Sequence, residues 1–293
     1  MRMRGTGSLR VAFQGEPGAF SEEAAYRLLG EEIATVPCPT FDATFGAIIT
    51  GDADALLVPV ENSLAGSVLR VYDLLLETDL LIAAETILPV ELHLIACPGA
   101  TLSSIRSVES HPMALAQCER LFSERRAWAR MAAEDTAGSV RRVLESGDRT
   151  RAAIAGPRAA RLYGGTILMR DVQDSAGNFT RFLLLTDPAE TSPAGDKLTL
   201  AVRLAHRPGA LLAALEPFSM RGLNLLKIES RPIHGCPWEY QFFLDVEAAP
   251  GAPLDEAVHE LRQKAQSVRV LGCYRAARSV HEQAKAAAAR RIQ

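Results

Sequence analysis

The chain has 293 residues, 48% of them hydrophobic and 23% charged, with a net charge of −3 when histidine is neutral. That length suits one large or two modest domains whose core needs neither disulfides nor metal, and the aliphatic content excludes disorder as the main state. The near-balanced charge offers no general attraction to nucleic acid or to an anionic membrane.

Five cysteines, Cys38, Cys97, Cys118, Cys236 and Cys273, form an odd set without a C-x-x-C pair. Such usage fits unpaired thiols in a reducing compartment. The basic start is followed by Val11 to Gly15 and not by a long apolar run, so no signal peptide is expected. The most apolar stretch, residues 74–96, is interrupted by Glu77, Asp79, Glu85 and Glu91, so no segment is expected to span a bilayer. A cytoplasmic location follows as the expectation.

From Leu9 to Thr186 short apolar runs alternate with helical patterns, the signature of an α/β protein. Strands are predicted at 9–14, 35–37, 55–60, 80–87, 91–96, 128–133, 152–155, 166–172 and 179–185. Helices are predicted at 21–29, with Ser21 as its cap, and at 41–50, 66–77, 112–124, 136–145 and 157–163. Pro112 sits in a first turn, where its missing N–H does no harm. Residues 187–196 lack an apolar period and read as a linker. Beyond it come strand 197–204, helix 209–221, strands 223–231 and 238–246, helix 254–266 and strand 268–274, the βαββαβ order of a ferredoxin-like plait. Within the C-terminal tail, 277–293, the Ala-rich end from His281 to Gln293 can form helix but has little apolar face and is expected to fray.

The six histidines form no H-E-x-x-H and no paired His/Cys spacing, so no metal or other cofactor is expected. Gly15-Glu-Pro-Gly18 lacks a Walker lysine, and Gly5-Thr-Gly7 precedes a strand, the wrong side for a dinucleotide loop. Three loops are chemically richer. Residues 14–22 form a glycine-rich strand-to-helix turn whose N–H groups can hold a carboxylate. Residues 59–67 place Glu61, Asn62 and Ser63 together at a strand end, and residues 178–182 bring Thr180 and Arg181 into an aliphatic strand. By composition alone these are equally well explained as ordinary turn formers.

Five segments, taken in order, resemble the motif series of prephenate dehydratases: Phe13-Gln-Gly-Glu-Pro-Gly-Ala-Phe-Ser-Glu22, Pro59-Val-Glu-Asn-Ser63 with Gly66, Ser110-His-Pro-Met-Ala-Leu-Ala-Gln-Cys118, Asp135-Thr-Ala137 and Asn178-Phe-Thr-Arg-Phe182. Three more resemble that family's regulatory ACT domain: Arg207-Pro-Gly-Ala-Leu-Leu212, the run Leu223 to Pro232, and Trp238-Glu-Tyr-Gln-Phe-Phe243. Met113 departs from the glutamine common there, and Phe179 from the usual residue before the threonine. Because the match begins at Val11, no chorismate mutase domain is expected ahead of it.

The resemblance implies a two-lobed, periplasmic-binding-protein-like catalytic domain over 9–186, its second lobe spanning about 90–172, then an ACT domain over 197–276. Crossovers between the lobes are expected near 88–91 and 171–177. It implies decarboxylating dehydration of prephenate to phenylpyruvate, with Thr180 as the proton donor, Glu61 in its relay, and Ser21, Asn62, Ser63, Arg181 and Phe182 around the substrate. It further implies L-phenylalanine as effector, bound by Gly209, Ala210, Leu211, Asn224, Leu225, Glu229, Ser230 and Arg231 between subunits of a homodimer or homotetramer. Arogenate dehydratase, and a non-catalytic sensor on the same folds, remain as alternatives.

Overall fold

The computed structural model describes residues 8–190, 195–233, 235–236, 238–248 and 251–277. The tail beyond 277 and the middle of the expected linker, 191–194, lie outside the described residues. The described chain divides into a larger unit, residues 8–72 and 86–183, and a smaller one, residues 73–85 and 184–277.

The first elements are β1 (Arg10–Gln14), α1 (Phe20–Leu29), β2 (Ala34–Cys38), α2 (Phe41–Ile49), β3 (Ala55–Asn62), a two-residue β4 (Gly66–Ser67), α3 (Leu69–Glu77) and β5 (Leu81–Pro89). There follow β6 (His93–Ala96), β7 (Ser107–Ser110), α4 (Pro112–Ala116), α5 (Glu119–Glu124), β8 (Ala129–Ala132), α6 (Thr136–Ser146), β9 (Arg151–Ala155), α7 (Pro157–Tyr163), β10 (Thr166–Met169) and β11 (Phe179–Thr186). One sheet has the order β2-β1-β3-β11-β5 with β4 on β3, and the second has β10-β6-β9-β7-β8.

The chain therefore leaves the first sheet after β5 and returns to it at β11. The two connecting segments bond to each other: Val90 N–H donates to the Asn178 carbonyl and Val172 N–H to the Leu92 carbonyl, both at 2.8 Å. The central strands are aliphatic because both their faces are covered. Val11 to Phe13 and Leu56 to Val58 are fully buried in the first lobe, and Ala152 to Ala155 in the second.

The smaller unit continues with β12 (Lys197–Arg203), α8 (Ala210–Ser219), β13 (Asn224–Pro232), β14 (Tyr240–Glu247), α9 (Leu254–Lys264) and β15 (Ser267–Tyr274). Its sheet order β13-β14-β12-β15 is that of the ferredoxin-like plait. Ala214 and Phe218 of α8 and Ala257 and Leu261 of α9 pack with Leu198, Leu200 and Val202 of β12. The α/β class, the two lobes and the plait agree with expectation.

Four local readings need correction. Ser21 does not cap α1: the helix begins one residue earlier, with extended Ala19 at the N-cap and no side-chain cap. The Glu22 carboxylate instead reaches back to Gly18 N–H at 2.8 Å. Gly66 and Ser67 are not helical but pair with Asn62 and Glu61. The expected helix 112–124 is two, because the chain breaks at Cys118 (φ −125°) and the Asp174 carboxylate accepts from Glu119 and Arg120 N–H at 2.8 and 3.0 Å. Strand β7 was not expected, since Ser107-Val-Glu-Ser110 has a single aliphatic residue. Its Glu109 is tolerated inside because Arg142 and Arg151 both bond it at 2.7 Å.

Candidate active site

An open cavity of about 320 Å³ lies in the larger unit, walled by residues of both lobes. The starts of α1, α4 and α6 contribute Ser21, His111 and Thr136 to its wall, and β3 and β11 contribute Asn62, Thr180 and Phe182. Among the described residues, no lysine or arginine lines it. The wall is neutral apart from Glu134 and Asp135.

Its polar centre is a chain of amides. Asn62 Nδ2 donates to Asn178 Oδ1 at 2.8 Å and to Thr180 Oγ1 at 2.9 Å. Asn62 Oδ1 accepts from the N–H groups of Leu64 and Ala65 at 3.0 and 2.9 Å. Both amide protons and the carbonyl are thus committed, which fixes the orientation of the group. Thr180 Oγ1 is therefore an acceptor toward Asn62, and its own proton is directed elsewhere. Asn178 Nδ2 donates to Gln117 Oε1 at 2.9 Å. That contact turns the Gln117 amino group toward other partners, and Gln117 also stands in the cavity wall. The neighbouring Cys118 is no nucleophile: burial pushes its thiol up to about 12.

Of the residues expected around a substrate, Ser21, Asn62, Thr180 and Phe182 line the cavity. Glu61, Ser63 and Arg181 do not. Strand alternation is the reason: residues next to one another on a strand look to opposite faces. Arg181 Nη1 lies 3.8 Å from Glu61 Oε2, and the arginine side chain is 11% exposed. Ser63 ties two loops together, since its Oγ donates to the Gly177 carbonyl at 2.7 Å and accepts from Phe179 N–H at 2.9 Å. Gln117, Asn178 and the α6 start were not singled out from sequence. All three lie inside the segments that carry the family resemblance, which was the available signal.

Glu91, His93 and Asp171 bring ligand-type atoms within 4.8 Å of one another where the two crossovers meet. Asp171 N–H donates to His93 Nδ1 at 3.0 Å. The proton of the neutral ring then sits on Nε2, a donor toward carboxylates and not a metal ligand. Burial pushes the His93 pKa down against the opposite pull of Asp171 and Glu91, which favours this neutral ring.

In the smaller unit Gly209 caps α8 with φ +79°, a conformation open to glycine, and Ala210 and Leu211 form the first turn. Asn224 and Leu225 begin β13, while Glu229, Ser230 and Arg231 lie near its end. Lys227 Nζ stands 3.7 Å from Glu229. The Arg231 guanidinium donates to both oxygens of Asp73 at 3.0 and 2.9 Å.

Residues 11–190 match the prephenate dehydratase family. The chain belongs to that family. A bifunctional chorismate mutase/prephenate dehydratase of Neisseria gonorrhoeae is 37% identical over 91% of this chain and 74% of its own length. An arogenate dehydratase of Arabidopsis thaliana is 39% identical over 91% of this chain and 67% of its own. Among solved structures, the prephenate dehydratase of Arthrobacter aurescens in complex with L-Phe has a TM-score of 0.81 at 31% identity, covering 97% of this chain and 98% of that one. A protein described as a novel type of quorum quenching acylase has a TM-score of 0.82 at 37% identity, covering 90% and 97%. Among the described residues of this family member, no helix is long and apolar enough to cross a membrane.

Proposed function

We propose that the chain converts prephenate to phenylpyruvate, CO2 and water in a reducing, cytoplasmic setting, and that L-phenylalanine regulates it. The observation that carries this reading is the hydrogen-bond state of Thr180: it accepts from Asn62, so its proton is available to the leaving 4-hydroxyl. As the ring carboxylate leaves, its electron pair enters the ring and expels the hydroxyl, which takes up one proton and departs as water. A donor placed at that oxygen lowers the barrier. The threonine hydroxyl is too weak an acid to surrender its proton outright. It acts as a donor whose proton is replaced through water in the open cavity. Glu61, on the other strand face, is left out of this relay.

The substrate is a dianion, and among the described residues no lysine or arginine lines the cavity. Its pyruvyl carboxylate suits the N–H groups at the start of α1, where the helix dipole favours negative charge; the start of α6 already carries Glu134 and Asp135. Its ring carboxylate suits the apolar wall of Val90, Leu92 and Phe182, because removing water there disfavours the anion relative to neutral CO2. Arg181, paired with Glu61, supports the strand instead of the substrate.

Arogenate is the second reading, and Glu134 and Asp135 in the wall favour it: either carboxylate would pair with the ammonium that replaces the keto oxygen. The deciding experiment assays purified protein on prephenate and arogenate side by side, with an acylated amide as a third arm for the acylase likeness. Phenylpyruvate formed from prephenate at the higher kcat/KM is expected. Failure to form it would overturn the primary reading.

For the effector, topology supports a site shared between two copies. The ten residues of α8 span roughly 15 Å. Gly209 at its start and Asn224 just beyond its end therefore cannot meet one small ligand within a single chain. A second copy supplies the missing half, which implies at least a dimer.

A further inference from the structure

Glu22 is 4% exposed and does not line the cavity. Its carboxylate accepts from Gly18 N–H at 2.8 Å, Thr35 Oγ1 at 2.9 Å and Arg158 Nε at 2.8 Å. The Arg158 guanidinium lies over the Tyr26 ring, 4.0 Å from its centroid. Glu22, Tyr26 and Thr35 are on α1 and β2 of the first lobe. Arg158 opens α7, whose Ala159 and Ala160 sit in the second lobe's core with Ile95 and Val140. A buried ion pair thus spans the two lobes.

The surrounding contacts show how closely they are fitted there. Tyr163 Oη donates to the Pro17 carbonyl at 2.8 Å, and Arg141 reaches Glu16 at 3.2 Å. A Cβ on Gly18 would come within 3.0 Å of Ala159 Cα, and one on Gly156 within 2.9 Å of the Phe20 ring. The loop seated in this way contributes Gly15, Ala19, Phe20 and Ser21 to the cavity wall. A buried ion pair returns little net stability over a well-packed apolar pair, so stability alone does not account for it. What it does is fix where the start of α1 stands relative to the opposite lobe.

We propose that Glu22 and Arg158 are positioning residues for the dehydration, holding the N–H groups of the α1 start and the Ser21 hydroxyl at the distance the substrate carboxylate requires. This rests on the reading of the cavity as the prephenate site. The pair touches no substrate atom itself, so its loss should act on binding before chemistry.

The test is the double variant Glu22→Gln with Arg158→Gln, which leaves no charge buried alone, with Arg158→Lys as a milder companion. In ligand-free protein, hydrogen exchange at residues 18–21 should speed up at least tenfold in the double variant, a readout independent of any substrate. With prephenate, KM should rise roughly tenfold while kcat changes less than threefold, and Arg158→Lys should fall between. If wild-type protein does not turn over prephenate, the substrate reading fails, and the exchange measurement still judges the strut. Unchanged exchange overturns the strut. Faster exchange with wild-type KM, or kcat and KM altered only in proportion to lost folded protein, overturns the positioning role. Should the double variant fail to fold, wild-type KM in Arg158→Lys is overturning by itself.

Discussion

On β3 and β11 the two faces of the same strands carry opposite chemistry. Asn62, Thr180 and Phe182 line the cavity, while Glu61 and Arg181, each one residue away, form an ion pair on the other side. The cavity face is neutral and held by amide hydrogen bonds, whereas the back face uses full charges to brace the sheet. A dianionic substrate at first sight calls for arginine. A guanidinium beside the departing carboxylate, however, would stabilise the ground-state anion that must become CO2, whereas a fixed neutral donor favours only the charge that develops at the leaving oxygen. Arg181, the cation next to Thr180, stands outside the cavity wall and pairs with Glu61.

The hardest test of that contrast removes the one hydroxyl on the cavity face. Thr180→Ala should keep the fold and lower kcat by a factor on the order of 10²–10⁴, the usual worth of a placed proton donor. Steady-state kinetics on a variant with unchanged circular dichroism checks this, and wild-type turnover would end the assignment. A subtler change, Asn62→Asp, alters almost no volume but replaces the donating amino group with an oxygen. Thr180 would then donate to the carboxylate and turn its proton away from the cavity. We expect kcat to fall about 10²-fold with a smaller change in KM.

How much of this was readable beforehand depends on what each feature obeys. The α/β alternation and the plait order follow from apolar periodicity, and strands such as Leu56 to Val58 announce themselves, whereas the two lobes came from the family resemblance. β7 does not, because its stability comes from Glu109 meeting Arg142 and Arg151, residues 33 and 42 positions away. The break at Cys118 depends on Asp174, which caps α5 from 55 positions along the chain. The strand alternation separating Thr180 from Arg181 was legible from the run 178–182, yet motif adjacency drew both toward one site. Gln117 became visible as a site residue only when Asn178 was seen to orient its amide.

Changes on the back face should cost far less activity. Arg181→Lys keeps a charge near Glu61 but loses the planar fork. We expect kcat/KM within about threefold of wild type and a stability loss of roughly 1 kcal/mol, given that Glu61 is 40% exposed and screened. Thermal melts should then shift by only about 2–4 °C. A hundredfold loss of kcat/KM in folded protein would place Arg181 with the catalytic face and erase the contrast.

A change in the plait should leave catalysis alone and remove only its control. At Gly209 a Cβ would meet nothing within 4 Å, so the space beside it is open, while φ +79° disfavours any other residue. Gly209→Ala should weaken L-phenylalanine binding by calorimetry and blunt its effect on rate, with uninhibited kcat/KM unchanged. Binding to the folded form raises the melting temperature of the wild type, and that rise should shrink in the variant. An undiminished rise would move the effector elsewhere.

The smallest effect concerns the crossovers, where a neutral group again works inside. Burial holds the His93 pKa below its ordinary value, and its Nδ1 accepts from Asp171 N–H at 3.0 Å. The unfolded chain takes up a proton at this ring near pH 6.5, while the folded chain resists it until a lower pH. Protons are then bound preferentially by the unfolded state, so stability contributed by the neutral ring is complete above about pH 6.5 and is lost as the pH falls toward the depressed folded value. His93→Asn retains an acceptor for Asp171 N–H but has no proton to gain. Melting temperatures at pH 7.5 and 5.5 should differ less in His93→Asn than in wild type. Equal differences would mean that His93 takes up its proton alike in the folded and unfolded chains, so that the fold does not hold the ring neutral.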